Sequence, residues 1–297
     1  MIAAYGPREE RPAADPAGER SGVAKDHGDG RPGAVVRERL TDRGAASPQR
    51  RPRPDPLQFI QANTRVCPVR SLPEIRLHTA HQATDLWRLG EPDEDGSDPP
   101  PPYWAFPWAG GMALARHILD RPETVTGRRV LDLGAGSGLV AIAAAMAGAS
   151  EVIAAEIDRY AIAALGLNAA ANGVAVAVAG DDLTAGPPPP VDLVTAGDLF
   201  YERDLAERVT AFLDRCLTAG IDVLIGDPGR AYLPRSRLRL LAEYPVPDVG
   251  EVEDAAVKPS AVFALELHYA DSAADDSDET RAAGTCPYPN LHKAQKD

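Results

Sequence analysis

A glycine-rich segment, Asp132-Leu-Gly134-Ala-Gly136-Ser-Gly138, constrains the fold more than any other feature of this sequence. It begins at the end of the apolar run 129–133 and precedes a stretch of small, helix-forming residues. Glycines between a strand and a helix let the backbone turn tightly and approach a ligand that a Cβ would block. Dinucleotide-binding loops have the spacing G-x-G-x-x-G/A, whose last position here would be Leu139. The segment therefore predicts a ligand-binding loop of a different class.

Short apolar runs alternate with helical stretches on both sides of this loop. The pattern predicts strands over 129–133, 151–157, 174–179, 191–196, 223–226 and 261–267. It predicts helices over 139–147, 160–172, 205–217 and 233–243. Strands that alternate with helices indicate a mostly parallel sheet covered by helices on both faces, with right-handed crossovers.

Composition suggests one domain between two disordered ends. Residues 1–56 and 271–297 are rich in charged and small residues and poor in aliphatic pattern, so they cannot bury enough apolar surface to offset the entropy of ordering. The domain is expected to span 57–270, with the Pro- and acid-rich stretch 91–102 as a mobile loop inside it. The net charge of −13 argues against a surface built to bind nucleic acid.

The sequence offers no sign of a metal site, a disulfide framework or a membrane segment. Cys67, Cys216 and Cys286 are far apart and odd in number, and the histidines lack metal-ligand spacing. No run approaches the ~18–20 apolar residues of a membrane span, and the start lacks the apolar stretch of a secretory signal. We therefore expect a cytoplasmic protein with neither a metal nor a membrane partner.

The G-x-G-x-G spacing, with an acid two residues before its first glycine, resembles motif I of class I S-adenosylmethionine-dependent methyltransferases. Glu156 closes the next predicted strand, where a carboxylate can accept hydrogen bonds from both ribose hydroxyls. Asp158 is better placed to cap the following helix. Asp181 and Asp182 follow the third strand, where this superfamily places an acid against the adenine amino group. Which of the two aspartates does so stays open, and both could instead serve a turn.

Four further blocks carry a narrower resemblance over residues 57–270. These are the aromatic entry 102–111, the Asn168–Gly173 helix end, Gly197-Asp198-Leu-Phe200-Tyr201, and Gly226-Asp-Pro-Gly-Arg230. Together they resemble the electron transfer flavoprotein β-subunit lysine methyltransferases of methyltransferase family 16. The resemblance implies a Rossmann-like seven-stranded fold, S-adenosylmethionine as methyl donor, and lysine ε-amines of a protein as acceptor, with the electron transfer flavoprotein β-subunit as the suspected partner.

The same resemblance implies which residues contact the cofactor. Trp108 is expected beside its methionine end, whereas for Trp104 a core position and a cofactor contact are both open. Arg230 could contact substrate or fix its loop, and Asp227 could pair with it. The full expected cofactor set is Trp108, Gly111, Asp132, Gly134, Gly136, Gly138, Glu156, Asp181, Asp182 and Gly197.

Asp198 and Tyr201 are the expected catalytic residues, because they match the family's D-x-x-Y signature after the fourth strand. The carboxyl ends of strands in an open α/β sheet face the ligand crevice. A free lysine has a pKa of about 10.4, so most of it arrives protonated and cannot attack a methyl group. Asp198 is expected to orient the amine, and Tyr201 to wall its channel. A helix cap with a core aromatic is the structural alternative.

Three other functions remain open on sequence alone. A ribosomal protein L11-type methyltransferase shares the glycine loop and the N-x-x-x-N-G helix end, although it usually carries a separate amino-terminal domain and an Asn-rich motif where this chain has Asp198. A small-amine N-methyltransferase is a second enzymatic possibility. A noncatalytic cofactor-binding protein is a third, which the presence of the glycine loop, Glu156 and the D-x-x-Y match opposes.

Overall fold

A seven-stranded sheet forms the centre of the protein. The computed structural model describes residues 55–80, 101–247 and 259–267 of the 297-residue chain. Nine strands lie in these ranges: β1 Thr64–Val69, β2 Leu72–Ala80, β3 Arg129–Leu133, β4 Glu151–Ala155, β5 Ala177–Ala179, β6 Leu193–Gly197, β7 Asp222–Asp227, β8 Leu238–Pro245 and β9 Pro259–Leu265. The helices described there are α1 Pro56–Asn63, α2 Ala109–Asp120, α3 Leu139–Met146, α4 Arg159–Ala171 and α5 Arg203–Thr218.

The strand order confirms the expected α/β architecture. The large sheet runs β5-β4-β3-β6-β7-β9-β8, with its first five strands parallel and β9 antiparallel to both neighbours. Successive residues of β3 point to opposite faces, so Val130 packs with α2 and α3 whereas Leu131 packs with α5. Both faces are therefore covered by helices, as a parallel sheet requires.

An amino-terminal hairpin, not predicted from the sequence, packs against this core. Strands β1 and β2 form a separate two-stranded antiparallel sheet. The Asn172 side chain pairs with the backbone of Arg76, accepting from its N–H at 2.9 Å and donating to its carbonyl at 2.7 Å. Fully buried Asn168 accepts from the His78 N–H at 2.7 Å and donates to the Ser137 carbonyl at 2.8 Å. The N-x-x-x-N-G helix end thus joins the hairpin to the glycine loop.

The predicted helix over 233–243 is wrong. Residues Arg235–Arg237 form a single 3-10 turn, and Leu238–Pro245 form the edge strand β8, paired antiparallel with β9. The run contains good helix formers such as Leu, Arg, Ala and Glu, so local propensity favours a helix. Pairing with β9 overrides that preference, and an irregularity between Leu240 and Ala242 breaks the two-residue alternation that marks a strand.

Other expectations concern the limits of the domain. Among the described residues, the first helix begins at Pro56 with Asp55 as its cap, one residue before the predicted boundary at 57. The expected disorder of residues 1–54 and 271–297, and of most of the predicted loop 91–102, lies outside the described residues. Within the described part of the chain, no helix is long and apolar enough to cross a membrane. The same residues contain no cluster of side chains suited to a metal ion.

Candidate active site

Two cavities adjoin Gly134 at the carboxyl ends of β3, β4 and β6. They contain about 460 and 390 Å³ of empty space, part of which is open to solvent. The first, here the Glu156 cavity, is lined by Leu133, Gly134, Ala155, Glu156, Ile157, Asp181, Asp182, Leu183, Thr184, Leu199, Leu205, Arg208 and Val209. The second, the Asp198 cavity, is lined by Phe106, Trp108, Gly111, Asp132, Gly134, Ala135, Gly136, Ser137, Leu139, Val140, Gly197 and Asp198.

The glycine loop separates these cavities and is held by Glu156. Gly134 and Gly136 have φ angles of 64° and 52°, a left-handed conformation that disfavours side chains. One carboxylate oxygen of Glu156 accepts from the Gly136 N–H at 2.8 Å, and the other accepts from the N–H groups of Ile157 and Asp158. The oxygen bonded only to the Gly136 N–H can still accept a second hydrogen bond, from a ligand. Asp158 caps α4 through the Tyr160 N–H, which confirms its predicted role.

Asp181 and Asp182 both line the Glu156 cavity but differ in their surroundings. Asp182 caps the short 3-10 turn Leu183–Ala185, accepting from the Thr184 N–H at 2.9 Å and pairing with Arg208 at 3.3 Å. The hydrogen bond from the Thr184 side chain is the largest cause that lowers the pKa of Asp182. Local contacts therefore engage Asp182, which favours Asp181 as the residue available to a ligand.

Asp132 is buried at the end of β3, on the floor of the Asp198 cavity. One oxygen accepts from the Ala141 N–H at 3.1 Å, and the other from the Thr195 hydroxyl at 3.0 Å. Burial raises the pKa of Asp132 to about 7, although both hydrogen bonds act in the opposite direction. The carboxyl group thus ties β3 to the first turn of α3 and to β6, directly below the glycine loop.

Gly138 lines neither cavity. With a φ of 80°, it begins α3, and a Cβ there would lie 2.8 Å from Leu165 of α4. Its small size lets the two helices pack closely, and a cofactor contact for Gly138 stays a prediction.

Glycines also bring the start of α2 against the sheet. A Cβ on Gly110 would overlap the carbonyl oxygen of Gly226, whereas one on Gly111 would meet only Val140, at 3.9 Å. A Cβ on Gly197 would lie 3.0 Å from the Gly111 Cα. This close approach points the Gly111 N–H at Asp198 and places Gly111 and Gly197 on the wall of the Asp198 cavity.

Asp198 has the most constrained environment in the site. Among the described residues other than glycine, Asp198 is the one with a positive φ, 58°. Aspartate tolerates this backbone conformation better than most residues. Its Oδ2 accepts from the Gly111 N–H at 2.9 Å, and its Oδ1 accepts from the Arg230 Nη2 at 2.7 Å. Burial raises the pKa of Asp198 to about 6, while the Arg230 charge opposes that rise. Backbone strain of this kind often marks functional positions.

The Arg230 contact with Asp198 was missed by sequence reasoning. Asp227, at the end of β7, accepts from the N–H groups of Gly229 and Arg230 at 2.6 Å each. The predicted pairing of Asp227 with Arg230 therefore exists through the backbone, while the guanidinium reaches Asp198. The GDPGR block was the available signal, since its arginine follows a strand next to the one that carries Asp198.

A row of aromatic side chains leads outward from Trp108 of this cavity, and its outer members Tyr103 and Tyr201 do not line the cavity itself. Tyr103 lies 5.7 Å from Trp108 and 5.6 Å from Tyr201, measured between ring centroids. The Trp108 indole N–H donates to the Tyr103 carbonyl at 2.8 Å. Tyr201 is 42% exposed, and burial of its hydroxyl raises its pKa to about 12. Trp104 is instead buried with Ile60 and residues of α4, so it belongs to the core.

Comparison with known proteins shows that this chain is similar to methyltransferases. The sequence model of the ribosomal protein L11 methyltransferase (PrmA) family matches residues 113–199, from within α2 to just past Asp198. The solved structure of ribosomal protein L11 methylase from Lactobacillus delbrueckii subsp. bulgaricus is 23% identical with a TM-score of 0.39, covering 52% of this chain and 77% of that one.

Longer matches cover about 70% of the chain. The electron transfer flavoprotein beta subunit lysine methyltransferase of Rattus norvegicus is 38% identical over 219 residues, covering 69% of this chain and 82% of the relative. The homolog of that enzyme in Caenorhabditis elegans is 32% identical over 236 residues, covering 71% and 96%. With the class I methyltransferase fold and with Asp198 of the D-x-x-Y signature in its cavity, the chain belongs to the electron transfer flavoprotein beta subunit lysine methyltransferase family.

Proposed function

We propose that this protein transfers methyl groups from S-adenosylmethionine to lysine ε-amino groups of the electron transfer flavoprotein β-subunit. The observation that carries the proposal is family membership, at 38% identity over 69% of this chain and 82% of the rat relative. The position of Asp198 and Tyr201 after β6 adds chemical support, because both lie at the edge where an open α/β sheet binds its ligands.

The residues around Gly134 fit S-adenosylmethionine. Glu156 and Asp181 line one cavity and are suited to the ribose hydroxyls and the adenine amino group. Trp108 and Asp198 line the other, and an aromatic face with buried acids suits the positively charged methionine end. Gly134 lies on the wall of both, so a ligand can pass across its backbone from one cavity to the other. When bound, the cofactor supplies a methyl group on a good leaving group.

The task left to the protein is to hold a neutral amine in line with that methyl group. Asp198 can accept a hydrogen bond from the amine, because a carboxylate oxygen has two acceptor positions. The rings of Tyr103, Trp108 and Tyr201 form an outer wall beside Asp198 that suits the aliphatic stem of a lysine. Removal of water by these rings strengthens the polar contacts of the amine.

Three competing functions have weaker support. The L11 family matches only residues 113–199, which contain the glycine loop but not the Arg230 loop or the amino-terminal hairpin. A small-amine enzyme would need a closed pocket, whereas Tyr103 and Tyr201 are both exposed at the cavity rim. A noncatalytic cofactor-binding role would leave the strained Asp198 and its contacts without a purpose.

The test is methyl transfer to purified, unmethylated electron transfer flavoprotein with labelled S-adenosylmethionine. We expect label on lysines of the β-subunit, located by mass spectrometry, and none on ribosomal protein L11. Transfer to L11 alone would support the alternative enzyme, and cofactor binding without transfer to either would support a noncatalytic role. Absence of nucleic-acid and membrane partners and a cytoplasmic location remain predictions, which cell fractionation can test.

A further inference from the structure

We infer that Arg230 is a positioning residue that keeps the substrate ε-amino group neutral by balancing the charge of Asp198. The inference rests on the proposed lysine methyltransferase activity and adds a residue that the D-x-x-Y signature does not include. Its basis is a built contact at the end of β7. The Arg230 Nη2 and Nε lie 2.7 and 3.2 Å from the Asp198 Oδ1, and the side chains are 23% and 8% exposed.

The loop holds the guanidinium in this position from two sides. Asp227 fixes the backbone, because its Oδ1 accepts from the N–H groups of both Gly229 and Arg230. The guanidinium carbon also lies 5.6 Å from the centre of the Trp108 ring, a cation–π distance. Arg230 therefore reaches the two residues that line the Asp198 cavity and were expected to contact cofactor and substrate.

A lone carboxylate beside a lysine would oppose the reaction. An opposite charge within about 4–6 Å stabilises the ammonium form, whose nitrogen has no lone pair to attack with. The cationic Arg230 offsets that attraction while leaving an Asp198 oxygen able to orient the amine. The substrate can then release its proton to water before its nitrogen bonds to the methyl carbon, and the bond between that carbon and the cofactor sulfur would break as the demethylated cofactor leaves as a neutral thioether.

The other titratable groups around the site make this balance necessary. Asp227 of β7 adds a negative charge near Asp198, and Glu202 and Glu156 act electrostatically on Tyr201. Tyr103 and Tyr201 contribute phenols at the rim, and Asp132 lies on the cavity floor. The charged carboxylates among these groups favour the ammonium, whereas the neutral phenols do not, so the positive charge of Arg230 at Asp198 counteracts those carboxylates.

The decisive experiment is the pH dependence of single-turnover methyl transfer to electron transfer flavoprotein, at saturating cofactor. In the Arg230→Gln variant, the Asp198 carboxylate and the substrate lysine hold the proton between them more tightly, so they release it only at higher pH. The rising limb of the plot of rate against pH should therefore shift to higher pH by about 1–3 units, and activity should be recovered at alkaline pH. Arg235→Gln is the matched control: Arg235 donates to the Gly229 carbonyl in the same loop at 3.0 Å, and its loss should leave the limb in place.

Cofactor binding by calorimetry checks that the variant folds. Should Arg230→Gln not fold, Arg230→Ala with added guanidinium chloride at non-denaturing concentration gives a second measurement, in which guanidinium should return the limb toward its wild-type position. A rate that falls by the same factor at every pH, or a limb that guanidinium does not move, would overturn the inference. An inactive wild-type protein would instead count against the proposed function, so the two failures are distinguishable.

Discussion

The two cavities on either side of Gly134 use acidic residues in opposite ways. Around the Glu156 cavity the carboxylates are partly or fully exposed, and Glu156 and Asp182 are engaged by nearby backbone N–H groups. Around the Asp198 cavity the two acids, Asp132 and Asp198, are buried. Exposed carboxylates keep their charge and suit recognition of hydroxyl and amino groups. Buried carboxylates have charges that depend on their neighbours, which suits a site where protonation decides reactivity.

The two buried acids also differ from each other. Asp132 is bonded to neutral groups, the Ala141 N–H and the Thr195 hydroxyl, and its pKa rises to about 7. Asp198 is nearly as buried but contacts a guanidinium, and its pKa rises only to about 6. Similar burial therefore raises the two pKa values to different extents, because Asp132 is bonded to neutral groups below the glycine loop and Asp198 is paired with a cation.

The largest effect is expected at Asp198. Replacement by alanine removes the group that orients the amine, and we expect the methyl-transfer rate to fall about 10³-fold, as for other preorganised polar contacts. Calorimetry should find cofactor affinity largely kept. Asp198→Asn is the matched control for the backbone, since asparagine also tolerates positive φ. Unchanged turnover in both variants would remove Asp198 from the mechanism.

The next largest effect concerns the glycines that position α2. Gly110→Ala should lower the free energy of unfolding by about 3 kcal/mol or more, because its Cβ would overlap the Gly226 carbonyl. Gly111→Ala, one residue along, should cost less than about 1 kcal/mol, since its Cβ would meet only Val140 at ordinary contact distance. Urea unfolding measures both. Equal destabilisation by the two variants would contradict the packing described at this crossing.

A smaller effect, on cofactor affinity, is expected in the Glu156 cavity. Glu156→Ala removes a charged acceptor of the ribose hydroxyls, so the cofactor Kd should rise about 10- to 100-fold. The rate at saturating cofactor should change much less than in Asp198→Ala. Glu151→Ala, an exposed position at the start of the same strand, is the control. Intact cofactor affinity in Glu156→Ala would show that the ribose contact is misplaced.

The smallest effect tests the burial of Asp132. Its pKa is raised in the folded state, so the folded protein holds a proton that the unfolded chain releases, and stability falls as pH rises from about 4 to 7. Relative to Asp132→Asn, the wild type should lose about 1 kcal/mol per pH unit in this window. Asp192→Asn should leave the slope between pH 5 and 7 unchanged, because Arg129 holds the pKa of Asp192 at about 2. Parallel curves for wild type and Asp132→Asn would refute the shift.

The core of the fold and the glycine loop were predictable from the sequence. The run 129–133 forms a strand with the predicted bounds, because Val130, Leu131 and Leu133 are apolar and the following glycines end it sharply. The helix after the loop also begins where expected, at Leu139. Most expected cofactor residues line one of the two cavities, since the carboxyl ends of parallel strands meet at one edge of a sheet.

Features that depend on long-range contacts were not predictable. The hairpin β1–β2 is held by side chains of α4, about 90 residues later in the chain, and no local pattern indicates this pairing. The sequence of strand β8 predicts a helix, because the extended form depends on pairing with the neighbouring strand β9. The Arg230–Asp198 contact joins two loops whose separation depends on the order of strands, which a single sequence does not specify.

The two asparagines of α4 set a lower limit on the size of a working enzyme. Asn168 bonds to β2 on one side and to the glycine loop on the other, with no exposed surface. Deletion of the hairpin would open this amide to water and loosen the carbonyl of Ser137 at the ligand. The segment 113–199 shared with the L11 family is therefore too short to serve as a transplantable module. Chimaeras or minimal variants should keep the chain from Asp55 onward, because Asp55 caps the helix that precedes the hairpin.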